Sequence, residues 1–148
     1  MTEVAFHFGA PDRLIYACRL LRKASASGAR LLVHADAAMA AALDTALWGV
    51  GATDFVTHCD AQADAHMLSR SAVVLHSSGP IQWDASRPVL INLADDVPQG
   101  FEQFQRVIEV VSTDEQDRNR ARMRWKQYTE CGYVISRHDL KGRAGDTT

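Results

Sequence analysis

Short runs rich in Val, Ile and Leu recur along the chain, and longer amphipathic stretches separate them. That alternation restricts the fold more than any other feature, because it is the pattern of strands buried on both faces and joined by crossover helices. "EVAFHF" reads as the first strand. "PDRLIYACRLLRKASASG" follows as a helix whose apolar stripe is Leu14, Ala17, Cys18 and Leu21, closed by Gly28. "ARLLVHA" is the second strand, and Asp36 caps the helix "AAMAAALDTALW" before the glycines of "WGVGA". A polar, irregular segment comes next. "SAVVLHSS" and "RPVLINLA" are buried strands joined by "GPIQWDAS", "FEQFQ" is a short helix, "RVIEVV" is a core strand and "YVISRHD" is a last short strand. The expectation is an α/β fold with a mainly parallel sheet flanked by helices. It forms a single domain over residues 1–140, with residues 141–148 as a frayed tail.

At 148 residues, 47% of them hydrophobic, the chain is long enough to bury a core without covalent staples. Cys18, Cys59 and Cys131 are an odd, widely spaced set that reads as reduced thiols. The N-terminal segment lacks a basic region followed by an apolar run, and no apolar stretch approaches a membrane span. A cytoplasmic protein without membrane attachment is expected.

Little in the sequence points to catalysis, and no catalytic residue is assigned. The first strand ends in "HFGAP", with one glycine, and no phosphate-binding glycine fingerprint is present, so no cofactor is expected. His34, Asp36, His76, Ser77 and Asp95 could converge at the carboxyl edge of the sheet, where open α/β folds bind ligands. A nucleotide- or small-molecule-binding enzyme using that edge is the alternative reading. The same residues serve equally as caps and turns. Six histidines without helical i, i+4 pairing or a C-x-x-C partner give no metal site, and "THCDAQADAH" gathers possible ligands only at irregular spacing.

The charge distribution carries more information. Residues 112–148 hold eight basic and six acidic side chains, and the preceding 111 residues hold eight and twelve. Arg118, Arg120, Arg122, Arg124 and Lys126 lie in one predicted helix with Trp125 and Tyr128. Ser112 and Glu115 form a capping-box pattern at its start, and Gly132 marks its end. At about 100° per residue, Arg118, Arg122, Trp125 and Thr129 share a stripe. Lys126 borders it, Ala121 and Tyr128 take the other flank, and Arg120 and Arg124 point away. Such a helix could simply pack its aromatics in the core with solvated arginines beside them. Guanidiniums interleaved with an indole also suit an acidic peptide with an apolar end, since carboxylates take the cations and the ring takes the apolar part. A nucleic-acid groove would need positive charge along its length, and most of this chain is net negative.

These residues resemble the chi subunit family of bacterial DNA polymerase III. The similarity runs through "ACRLLRKASASGARLLVHADA", "LDTALWGVGATDFVTH", "PVLINLADDVPQGFEQFQRVIEVV" and "RARMRWKQYTECGY". It implies a Rossmann-like domain that is not an enzyme and acts in DNA replication as an accessory of the clamp loader. The implied partners are psi, a small clamp-loader subunit, and the acidic C-terminal tail of the single-stranded-DNA-binding protein. Tail-binding positions carry over to Val111, Arg118, Arg122, Trp125, Lys126 and Gly132. Many relatives have Tyr where Trp125 stands. The psi-facing positions are Trp48 and Phe55, a face that an XPD-like helicase is reported to use in some members. The family often has Pro where Thr57 stands here.

Overall fold

The structure, a computed structural model, describes residues 2–48, 56–77, 81 and 84–140. Seven strands form one sheet: β1 (Glu3–Ala10), β2 (Leu31–His34), β3 (His58–Asp60), β4 (Val73–His76), β5 (Val89–Asn92), β6 (Arg106–Ser112) and β7 (Ile135–Asp139). Their order is β3-β4-β2-β5-β6-β1-β7, and every described pairing is parallel. Four helices serve the crossovers: α1 (Arg13–Ala26), α2 (Ala37–Trp48), α3 (Ala65–Arg70) and α4 (Glu115–Glu130). This is the expected α/β architecture, consistent with a Rossmann-like domain. Residues 141–148 lie outside the described residues.

Strand alternation divides the core in two. On one face Leu31, Val33, Ile91, Ile108 and Val110 meet Ala17, Cys18 and Leu21 of α1 and Ala40, Leu43 and Leu47 of α2. On the other, Val4, Phe6, Leu32, Leu90, Val107 and Val111 meet Ala121 and Tyr128 of α4. The helices begin at side-chain caps. Asp12 accepts from the Ile15 amide at 3.1 Å and Asp36 from the Met39 amide at 2.8 Å. Gly28 closes the first helical segment with φ +90°, a conformation that disfavours other residues.

Two expectations change. The segment read as irregular contains β3 and α3, elements of three and six residues. The capping residue of α4 is Asp114, whose carboxylate accepts from the Asp117 amide at 3.0 Å. Ser112 instead accepts from the Asp114 amide at 3.2 Å, so the serine shapes the turn leading to the cap.

Arg87, buried, holds the far flank of the sheet together. Its guanidinium donates to the carbonyls of Leu31, Ala72, Ser71 and Leu68, tying β2, the start of β4 and the end of α3 to the approach to β5. Burial lowers its pKa, yet an arginine starts so high that it stays charged.

Candidate functional site

Helix α4 presents two chemically distinct faces. Asp117, Ala121, Arg124 and Tyr128 recur at three- and four-residue spacing and are buried against the sheet. Arg118, Arg122 and Lys126 are exposed on another side. Asp117 anchors the first turn, since its carboxylate accepts from the Ser112 amide at 2.7 Å and lies 3.6 Å from Arg13 of α1. At the far end the Cys131 amide donates to the Gln127 carbonyl, and Gly132 turns the chain at φ +89°.

Arg124 points away from the stripe of Arg118, Arg122 and Trp125, as the helical wheel places it, but into the core: it is 2% exposed and donates through Nε to Glu109 at 2.9 Å. Glu109 is 0% exposed and sits between Val107 and Val111 on the α4 side of β6. Tyr128 donates its hydroxyl proton to the same carboxylate at 2.7 Å, and Asn92 of β5 donates to both of its oxygens at 3.1 and 2.9 Å. Arg124 also reaches the Asp95 carbonyl at 2.9 Å. Burial pushes the Glu109 carboxyl above its ordinary range, against the opposing pull of Arg124. Burial first and the neighbouring Glu109 second push the Tyr128 phenol far up, so it stays a donor. These groups are spent on one another. They clamp α4 to the centre of the sheet.

The outward face keeps its cations available. No acid pairs with Arg118 or Arg122 among the described residues, although Arg122 donates to Asn119. Lys126 reaches Glu130 at only 4.0 Å, both groups being well exposed, a pairing worth little. Trp125 lies on the boundary, half-buried, with its ring centroid 5.0 Å from that of Phe6. Val111 is 3% exposed and belongs to the apolar cluster against which Trp125 and Phe8 pack. Gly132 is exposed just beyond the helix.

A neighbour not anticipated from sequence is Arg137 of β7. Its guanidinium carbon lies 5.7 Å from the Trp125 ring centroid and 5.2 Å from that of Phe8. Nothing in the local spacing reveals this. It follows from the parallel pairing of β7 with β1, which sets Arg137 opposite Phe6.

Elsewhere, Trp48 ends α2 with 61% exposure, its ring 5.0 Å from that of His58. Phe55 lies outside the described residues. At the carboxyl edge, His34 and His76 are register partners with their Nδ1 atoms 3.0 Å apart. Burial, then the neighbouring His76, lowers the His34 pKa. Asp36 and Asp95 of that set are engaged differently. Asp36 caps α2, and Asp95 lies 3.7 Å from Arg120. Among the described residues no three His, Cys, Asp or Glu side chains gather as metal ligands, and no helix is long and apolar enough to cross a membrane.

Comparison with known proteins decides the family. The model of the family described as "DNA polymerase III chi subunit, HolC" matches residues 1–136. This chain belongs to the chi subunit family. Among curated relatives, it is 35% identical to the DNA polymerase III subunit chi of Pseudomonas aeruginosa over 129 residues, 86% of this chain and 87% of that protein. It is 28% identical to the corresponding subunit of Haemophilus influenzae over 130 residues, 84% and 85% of the two chains. As a chi-family chain it is an accessory replication subunit related to components of DNA polymerase III. The match to chi runs from β1 through α4 and ends at Ser136 in β7, and so includes both faces of α4.

Proposed function

We propose that this chi-family chain is a non-catalytic bridge. In this reading α4 holds the acidic C-terminal tail of the single-stranded-DNA-binding protein, and the Trp48 end of α2 meets the clamp loader through psi. One observation carries the tail-binding half: Arg118, Arg122 and Lys126 are exposed beside a half-buried indole, whereas Arg124 is withdrawn to neutralise Glu109. The exposed cations are therefore not needed to hold the fold. A planar guanidinium receives a carboxylate through two N–H groups, and an aromatic edge beside it receives an apolar end residue.

For the clamp-loader contact, Trp48 supplies a large exposed ring of the kind enriched at interface cores. Joining two modest contacts on one rigid body raises the effective concentration of each partner for the other and can strengthen the assembly about 10²–10⁴-fold.

Calorimetry tests the tail contact, using the full chain and a peptide that copies the last residues of the single-stranded-DNA-binding protein. Arg122→Ala and Trp125→Ala are each expected to weaken binding by about 2 kcal/mol or more, and deletion of the peptide's terminal aromatic by a similar amount. Wild-type affinity in both variants would overturn the proposal, as would an oligonucleotide that binds more tightly than the peptide.

A further inference from the structure

Arg137 lies on β7 opposite apolar residues of β1. Ile135, Arg137 and Asp139 are register partners of Val4, Phe6 and Phe8, and Ile135, Val4, Phe6 and Phe8 all pack in the apolar cluster on the α4 side. A cation thus lies beside apolar side chains at β7, next to the helix proposed to bind a peptide. Its guanidinium is placed against two rings, Phe8 and Trp125, at 5.2 and 5.7 Å.

The charges around it make the placement informative. Arg13, Arg120, Arg124 and Lys126 each lie near an acid, namely Asp117, Asp95, Glu109 and Glu130. Arg137 has no ion pair or side-chain hydrogen bond to another described residue. The same holds for Arg118, and Arg122 meets only an amide oxygen. Among the described residues, the guanidiniums of α4 and β7 without acid partners are therefore Arg118 and Arg122, on the exposed flank of the helix, and Arg137, over the Trp125 ring from the sheet. A guanidinium stacked on rings uses its faces, which leaves its N–H edges for a planar acceptor. Contact with the rings also lowers the entropy lost on binding, since the side chain is already partly ordered.

We propose that Arg137 is a further carboxylate-binding residue and that the peptide site spans the seam between α4 and β7. Its ligand is the carboxylate closest to the apolar end of the acidic peptide, because Arg137 is the cation that touches the ring expected to receive that end. The inference rests on the tail-binding reading of α4.

The test uses the full chain and a synthetic peptide carrying several aspartates and ending in phenylalanine, titrated in a calorimeter at two salt concentrations. Arg137→Gln is expected to lower affinity about tenfold or more and to flatten the salt dependence, since one charge-assisted contact is lost. Arg137→Lys is expected to recover only part, because an ammonium lacks the planar fork. Melting temperatures of both variants should match the wild type, as befits an exposed side chain. Unchanged affinity in Arg137→Gln, alongside loss in Arg122→Ala, would overturn the role of Arg137 and leave the α4 site standing. Lower affinity with an unchanged salt dependence would also overturn it, by showing that Arg137 only steadies the indole. Failure of the wild-type chain to bind the peptide would remove both proposals.

Discussion

Arg122 and Arg124 are two residues apart on one helix, and replacing each by methionine should give opposite results. Arg124 is buried and shares Glu109 with Tyr128 and Asn92. Removing one partner of a buried ion pair costs about 3–5 kcal/mol, because the remaining charge is left without compensation. Here the lower end applies, since two neutral donors still reach the carboxylate and Glu109 can take up a proton, a step its burial already favours. A loss of about 3 kcal/mol corresponds to a melting temperature about 6–12 °C lower for a chain of this size. Urea unfolding followed by circular dichroism at pH 7 measures it. The double variant Arg124→Met/Glu109→Gln removes both charges while keeping an acceptor for Tyr128, so its cost should fall short of the sum of the single costs by about 2 kcal/mol. Arg122→Met should stay within about 0.5 kcal/mol of the wild type. A coupling below about 0.5 kcal/mol between Arg124 and Glu109 would refute the clamp. So would equal destabilisation by the two arginine variants.

Two further outcomes follow from the same geometry. The Glu109 carboxyl titrates above its ordinary value in the folded chain, so the folded state holds the proton more tightly than the unfolded state. Its stabilising contribution is complete below the ordinary glutamate range and is lost as pH rises through the folded value. The stability of the wild type minus that of Glu109→Gln should therefore decrease with rising pH from about 4.5 upward, and a difference that grows instead would sink the assignment. At the start of α4, Asp114→Ala should cost about 1 kcal/mol in urea unfolding. A larger loss from Ser112→Ala than from Asp114→Ala would return the capping role to the serine.

Much of this was legible in the chain because strands buried on both faces leave uninterrupted apolar runs, as in "LLVH", "VVLH" and "VLIN". β3 escaped because three residues, "HCD", cannot display a period, and the six-residue α3 has no buried residue. The helical wheel separates Arg124 from the exposed stripe but does not reveal that it is buried, since arginines are mostly exposed. A sufficient signal existed in "RVIEVV": a glutamate inside a strand flanked by valines on the same face requires a cation or donors from the element packed above it. Arg137 had no comparable signal, since its neighbours are set by pairing between the two ends of the chain. Phe55 lies outside the described residues, so only the Trp48 half of the proposed psi face has a structural description.

The seat of β1 has a consequence for how the chain comes into being. β1 lies between β6 and β7, with Glu3 in register with Arg106 and Val4 with Ile135. β1 is thus paired only with strands that lie far downstream of it, the nearer of which begins at Arg106. Until β6 has emerged, "VAFHF" has no strand on either side, and synthesis at about 5–20 residues per second leaves it uncovered for seconds. A nascent chain halted before β6 would present this apolar ribbon without a strand partner.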